Sequence, residues 1–303
     1  MSGPPAGLRL PPAVRLHRVR VPLAVPFQGC AWREATLVEG PSGWGEVSPF
    51  PGFPLDERAA WRAALEAACR GWPAPRRQEV EVAAVLPAAP PAEAEALAAR
   101  LDGARTVKLK VGRGDDLGRV RAVRAALGPA VRLRLDANGA WDVDTAVARI
   151  RALAACDLEL VEQPVATLEE LAAVRRRVAV PLAADEAVRT PADAARLAAL
   201  GAADALVLKV QATGGVRAAL ELAAAAGVPA IPSSLVETSV GLGAGLALAA
   251  SLPALPLACG LGTAALLAGD VVAEPLRPRG GRLRVRRPAP DPALLACYAV
   301  APG

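Results

Sequence analysis

Between Val14 and Val21 the chain reads Val-Arg-Leu-His-Arg-Val-Arg-Val, an alternation of apolar with charged or polar side chains. A period of two marks a strand with one face on a core and the other in water. Glu34 to Glu39 is a second strand candidate. Between them, Ala24 to Trp32 carries Pro26 and Gly29 and is expected to be a loop. Gly43 to Pro54, rich in Gly, Pro and aromatic residues, is expected to be another. From Leu55 to Gly71 the spacing becomes that of an amphipathic helix. Strands followed by a helix predict a small α+β domain whose two loops close over a neighbouring site and exclude water from it.

From about residue 80 strand-like and helix-like runs alternate. Val80 to Leu86 is followed by a helix at Ala92 to Leu101, and Thr106 to Val111 by a helix at Leu117 to Leu127. Strand candidates follow at 131–136, 158–163, 181–185, 205–210, 228–232 and 256–260. Eight strands at intervals of 23 to 28 residues give the period of a β/α barrel, with parallel strands and right-handed crossovers. A dinucleotide-binding sheet would need G-x-G-x-x-G, and Gly112-Arg113-Gly114 is too short a match. The expected division is a cap from 1–79 joined by the tail 275–303, around a barrel from 80–274. Gly280 to Val285 in that tail reads as a turn and short strand returning to the first domain.

Composition adds a sharper signal. Of 35 basic residues only Lys108, Lys110 and Lys209 are lysine, so arginine is the general surface cation. Arginine does not give up its proton in a protein, whereas a lysine amine does so once its surroundings lower its pKa. Lys108 and Lys110 lie two apart in Arg105-Thr106-Val107-Lys108-Leu109-Lys110-Val111-Gly112, so on a strand both amines leave one face. Two cations that close are expected to depress each other's pKa. A solvated lysine pair is the bland reading, and the scarcity of lysine elsewhere weighs against it.

With 303 residues, 53% of them hydrophobic, the chain is long enough for a large core. The net charge is +5, but the arginines are scattered and aromatic residues make up 3%, which argues against a nucleic-acid surface. A positive field suits a small anionic substrate. Cysteines at 30, 69, 156, 259 and 297 are odd in number with no C-x-x-C spacing, which points to a reducing cytoplasm rather than a disulfide framework or zinc site. Met1 to Pro12 has no apolar run of the kind that directs secretion. Thr238 to Ala268 is uncharged and long enough for a membrane span, but Pro253, Pro256 and repeated glycines break it into a strand, a buried helix and another strand. No membrane partner is expected, and monomer and homo-oligomer are equally open.

Polar residues stand at the C-terminal ends of six strand candidates: Lys108 with Lys110, Asp136, Glu162, Asp185, Lys209, and Ser233 with Ser234. In a β/α barrel those ends open on one face, so residues far apart in sequence converge. Each carboxylate alone is as well explained by capping or by support of its neighbours. Three together repel unless a cation sits among them, and oxygen donors suit magnesium.

With these residues the chain resembles the enolase superfamily, in its muconate-cycloisomerase-like branch, over nearly its whole length. The resemblance rests on Lys-x-Lys, then Asp, Glu and Asp on successive strands, then Lys. It implies a modified (β/α) barrel with an α+β cap. It also implies a magnesium ion on Asp136, Glu162 and Asp185, and proton abstraction next to a carboxylate to give a magnesium-stabilised enediolate. In it Lys110 is the base, Lys209 the electrostatic partner across the barrel, and Lys108 a further cation that lowers the Lys110 pKa and draws in the substrate carboxylate. His17 is the only histidine, so a His-Asp dyad of the mandelate-racemase kind cannot be assembled.

The run from Ala258-Cys259-Gly260-Leu261-Gly262-Thr263 on to Gly269-Asp270-Val271-Val272, with Ser233-Ser234 and Glu237 to Gly241, resembles the actinobacterial o-succinylbenzoate synthase family rather than dipeptide epimerases, which usually carry Asp-x-Asp there. The implied reaction is dehydration of 2-succinyl-6-hydroxy-2,4-cyclohexadiene-1-carboxylate on the way to menaquinone. Gly260, Leu261 and Gly262 would offer backbone N–H groups to a second carboxylate, beside the hydroxyls of Ser233 and Ser234. Arg134 is a candidate for an anion or for a buried structural role, and Asn138 for the carboxylate end. N-succinylamino acid racemisation or dipeptide epimerisation stays open, because two lysines on opposite faces of one carbon also serve a two-base reaction. A non-enzymatic barrel is the reading of another class, opposed by the complete lysine and carboxylate set.

Overall fold

The computed structural model describes residues 3–27, 29–101 and 103–300. The first strands are longer than the sequence pattern predicts: β1 runs Arg15–Phe27 and β2 Cys30–Gly40, antiparallel, and β3 is Gly43–Val47. The expected loop at Ala24 to Trp32 is therefore mostly the far end of a hairpin. Its register runs to Pro22↔Trp32, slips, and resumes at Phe27↔Cys30. Leu23 and Phe27 stay buried through the irregularity, which holds the strand in place despite Pro26. The first five residues of the second expected loop are likewise strand, as β3.

Glycine is needed in β3 because helix α1 (Glu57–Leu65) lies directly on it. A Cβ on Gly45 would stand 2.1 Å from the Ala64 carbonyl oxygen and 2.7 Å from that residue's Cα. Gly45→Ala is expected to cost about 1–3 kcal/mol through this clash with backbone. It should show as a lower urea midpoint with an unchanged m value. Asp56 caps α1 by accepting from the Arg58 N–H, and Trp61 is fully buried beneath it. The helix continues as a π-turn over Glu66–Arg70. There Glu66 accepts from the Val216 N–H at 2.6 Å and from Arg217 Nη1 at 2.6 Å, fastening the cap to the barrel.

Strands β4 (Glu79–Glu81) and β5 (Ala84–Leu86) lead into α2 (Pro91–Ala98), β6 (Thr106–Lys110) and α3 (Asp116–Leu127). The alternation continues through β7 (Arg132–Asp136), α4 (Val143–Ala152), β8 (Leu158–Glu162), α5 (Leu168–Arg175), β9 (Leu182–Ala184) and α6 (Pro191–Leu200). It ends with β10 (Ala205–Lys209), a turn of helix α7 (Val210–Thr213), α8 (Val216–Ala226), β11 (Ala230–Ser233) and α9 (Ser239–Ser251). β5 to β11 form one sheet of seven parallel strands in sequence order, as the strand-helix period predicts.

The eighth expected strand, 256–260, is reduced to single bridges, Val82↔Cys259 on one side and Ser233↔Gly260 on the other. These join the edges of the curled sheet. The Cys259 N–H donates to the Glu81 carbonyl and the Gly260 N–H to that of Pro232, each at 2.8 Å.

Leu109, Leu133, Leu135, Ile150 and Leu171 are fully buried between sheet and outer helices, each contributing roughly 1.5–3 kcal/mol of apolar burial. α9 is buried on every side except at Ala244, which explains its uncharged sequence. No helix of the described residues is long and apolar enough to cross a membrane. In the tail, β12 (Arg282–Arg284) pairs antiparallel with β4, while α10 (Pro292–Tyr298) reaches the cap, where the Val300 N–H donates to the Arg18 carbonyl.

Candidate active site

Parallel register carries the polar residues to one rim. Lys110 pairs with Asp136 across β6 and β7, Asp136 with Glu162 across β7 and β8, and Lys209 with Ser233 across β10 and β11. Asp185 follows the last residue of β9. Asp136, Glu162 and Asp185 are at most 2% exposed, although each carries a charge-bearing group.

The lysines meet these carboxylates directly. Lys108 Nζ lies 3.0 Å from Asp136 Oδ2 and 2.9 Å from Glu162 Oε1. Lys110 Nζ donates to Asp136 Oδ2 at 2.6 Å and to Asn138 Oδ1 at 2.9 Å. Lys209 pairs with Asp185. Burial works to lower the Lys108 amine, but Asp136, Glu162 and Asp185 together outweigh it and hold the amine above the usual lysine range. That corrects the expectation of mutual depression for this member of the pair: carboxylates, not the neighbouring ammonium, dominate its field. Lys209 is likewise raised, with burial opposing and Asp185 and Glu186 prevailing.

Among the carboxylates, burial resists ionisation of Asp136, yet Lys108 and Lys110 keep it well below the usual range. Glu162 is pushed up to about 7 by burial and by Asp136, more than Lys108 offsets. Asp185 is raised, first by burial. Burial is thus the first reason that Glu162 resists ionisation, with the Asp136 charge adding to it. Three buried carboxylates on neighbouring strands are an all-oxygen donor set, which in its chemistry suits a hard divalent cation. Among the described residues no three His, Cys, Asp or Glu groups stand close enough, as placed, to enclose a metal ion. The amines of Lys108 and Lys209 are in contact with the carboxylates that would hold one.

Ser234 donates to the Gly260 carbonyl at 2.9 Å and shares a hydrogen bond of 2.8 Å with Thr263, and Ser233 lies beside the same carbonyl. The Gly260 N–H is taken by Pro232, so it does not point to a ligand as expected. A Cβ there would meet Ser233 Oγ at 2.4 Å, and one on Gly262 would meet the Ala83 carbonyl at 2.4 Å. Close packing at the barrel seam accounts for both glycines. Leu261 is fully buried in the cluster beneath α9. Arg134 lies inside the barrel, paired with Glu159 and donating to the Ala258 carbonyl at 2.7 Å. Its Nε and Nη1 are engaged by protein, and its Nη2 is buried without a hydrogen bond. His17 is far from these groups in its contacts, paired with Glu39 at 2.9 Å and set against Trp44.

Several contributors escape sequence reading. Gln163, in a left-handed conformation at φ 39°, accepts from the Asp185 N–H at 2.7 Å and so fixes the start of the loop after β9. Glu186 accepts from Asn138 Nδ2 at 2.8 Å. Gln211, just past Lys209, accepts from the Ser48 N–H at 2.8 Å and donates to Glu237 at 2.9 Å, tying the cap loop to the barrel. Beyond that tie, Phe53 lies 4.5 Å from Lys209 Nζ and 4.3 Å from the Arg189 guanidinium carbon, measured to its ring centre. The runs Glu162-Gln163-Pro164 and Asp185-Glu186 contained the signal for two of these residues, as polar groups adjoining the carboxylates.

A barrel with lysines on two opposed strands, a row of three acidic residues between them and a strand-rich cap is the architecture of the enolase superfamily. Residues 92–290 match the enolase C-terminal domain-like family and residues 18–68 the enolase N-terminal domain-like family. Within the superfamily the chain belongs to the o-succinylbenzoate synthase family. It is 56% identical to the o-succinylbenzoate synthase of Thermobifida fusca over 88% of this chain and 86% of that one. It is 48% identical to that of Mycobacterium marinum over 95% and 89%. Among solved structures, the muconate lactonizing enzyme of Pseudomonas fluorescens superposes with a TM-score of 0.86 at 24% identity, covering 95% of this chain and 98% of that one, which bears on fold alone. The L-Ala-D/L-Glu epimerase of Bacillus subtilis gives 0.83 at 27% identity, over 91% and 96%.

Proposed function

We propose that this protein removes water from 2-succinyl-6-hydroxy-2,4-cyclohexadiene-1-carboxylate to give o-succinylbenzoate, a lyase reaction serving menaquinone synthesis in the cytoplasm. The observation that carries this reading is the placement of Lys110 and Lys209 at either end of the Asp136, Glu162 and Asp185 row, in a chain so similar to named o-succinylbenzoate synthases. The cap, 1–79 with the tail 275–303, closes the barrel, 80–274, through the loop that carries Phe53.

Asp136, Glu162 and Asp185 would hold magnesium, which supplies positive charge where the substrate carboxylate gains negative charge. Lys110 takes the proton next to that carboxylate and returns it to the departing hydroxyl on the same face. Asn138 orients the Lys110 amine through its carbonyl oxygen. Lys209 stabilises the enediolate from across the barrel, and Lys108, held charged, draws the substrate carboxylate inward. Ser233 and Ser234 border the substrate at the seam.

Incubating purified protein and magnesium with the cyclohexadiene should yield o-succinylbenzoate, followed by its ultraviolet absorbance. Rapid racemisation of N-succinylamino acids without appreciable dehydration would replace this reading by the racemase one.

A further inference from the structure

Several arginines of the barrel are paired with a carboxylate. Arg119 pairs with Asp116 at 2.8 Å, Arg132 with Glu81 at 2.9 Å, Arg175 with Asp204 at 2.6 Å and Arg217 with Glu66 at 2.6 Å. Arg189 has no such partner within ion-pair distance among the described residues. Its Nη2 is buried from solvent and makes no hydrogen bond. A buried guanidinium N–H without an acceptor has lost water and gained no hydrogen bond in return, even though Asp185, Glu186 and Asp193 act on the cation at longer range, so it requires a specific explanation.

Its position supplies one. Arg189 lies in the loop after β9, on the barrel face where the lysines and carboxylates converge. The loop is pinned there: Asp193 accepts from the Arg189 N–H at 3.0 Å and from the N–H and hydroxyl of Thr190 at 2.8 Å each. Asp193, near in sequence, is therefore engaged by this turn, while Asp185 is paired with Lys209 and one oxygen of Glu186 with Asn138, the other being buried without a hydrogen bond and outside ion-pair distance of Arg189. The guanidinium rests over Phe53, the ring that also meets Lys209. One aromatic ring thus adjoins both a lysine of the reacting centre and a guanidinium whose Nη2 lacks an acceptor. A planar guanidinium held by stacking presents its N–H groups to a carboxylate in a fixed fork.

We propose that Arg189 binds the distal carboxylate of the substrate, the one at the end of the succinyl arm. This assignment rests on the dehydration reading above. The ring carboxylate belongs with Lys108 and the acidic row, so the second anion needs its own cation. The four-carbon arm leads from the reacting ring past Phe53 to that guanidinium, with Phe53 as the wall along which it lies. Gly260 does not serve this carboxylate, since its N–H is already occupied by Pro232. Arg189 is thus a substrate-binding residue that selects for a dicarboxylate.

Calorimetry with saturating magnesium tests this by comparing o-succinylbenzoate with 2-butyrylbenzoate, in which a methyl group replaces the distal carboxylate. Wild-type protein should prefer o-succinylbenzoate by about 30-fold or more, the scale of losing one partner of a desolvated charge pair. Arg189→Gln should reduce that preference to below about 5-fold while binding 2-butyrylbenzoate nearly as wild type does. If Arg189 merely latches the Phe53 loop, Arg189→Gln will weaken both ligands equally and keep the wild-type ratio, which overturns the assignment. A wild-type ratio near one overturns it as well. Should Arg189→Gln not fold, Arg189→Lys decides, with an expected fall in the ratio of about 3-fold or more from loss of the fork. Wild-type protein that neither binds o-succinylbenzoate nor forms it rejects the functional reading itself. Normal turnover with an unchanged ratio in the variant rejects only the role of Arg189.

Discussion

Lys110→Arg should lower kcat by about 10²-fold to 10⁴-fold, because the guanidinium keeps the positive charge and loses the ability to accept a proton. The structure separates Lys110 from its neighbour two residues before. Lys108 is bridged between Asp136 and Glu162 and held above the lysine range, so it is a fixed cation. Lys110 has Asp136 and the neutral Asn138 as partners and lies nearest the rim. Lys209→Arg should lose less, since in a one-base dehydration that residue supplies only charge, unless the larger head group disturbs Phe53. Equal and severe losses at both positions, together with rapid exchange of the α-proton of both enantiomers of an N-succinylamino acid into deuterated water, would point to a two-base racemase. Retention of near-wild-type kcat by Lys110→Arg would remove it as the base.

Removing divalent metal should lower turnover by at least about 10³-fold while leaving the far-ultraviolet circular dichroism nearly unchanged. The first part follows from charge. Asp136, Glu162 and Asp185 offer three buried carboxylates, and a divalent ion held by them would supply the positive charge that the enediolate needs. The second part follows from packing. The seven-stranded sheet is held by apolar contacts with its outer helices, and the acidic row has lysine contacts of its own. Re-addition of magnesium should restore the rate. Full activity in rigorously metal-depleted protein would refute the assignment of Asp136, Glu162 and Asp185, and a collapse of helical signal on chelation would show that the ion is needed for folding.

The repeating strand-helix period made the parallel barrel legible, and lysine scarcity pointed to the rim, because both are carried by local order along the chain. What escaped depends on contacts between distant segments. β3 looks like a loop because Gly45 is required by α1, a helix that begins ten residues later and folds back onto it, and Gly43 by its positive φ and the Arg287 side chain of the tail. The hairpin end at Ala24 to Trp32 is held as strand by buried Leu23 and Phe27 against the turn preference of Pro26 and Gly29. Gln211 is an unremarkable residue until Ser48 is brought to it, and Arg189 is one of many arginines until its partners are counted. A glycine-lined strand end beside hydroxyls suggests that Gly260 is a free donor, whereas only the closed seam reveals that Pro232 takes its N–H.

The seam also divides the barrel into two mechanical regimes. β6 to β10 are paired strand to strand, with one slip in register between β7 and β8 at Leu133 and Arg134, and this pairing fixes the lysines and acidic residues relative to one another. At 258–260 the ring is joined by isolated bridges, and Ser234 and Thr263 meet over that junction. A family that must preserve its proton chemistry while altering the rest of its substrate can lengthen, shorten or reshape the seam with little strain on the opposite arc. Changes in specificity should therefore accumulate along this clasp, and changes in reaction type should demand alteration of the rigid ladder.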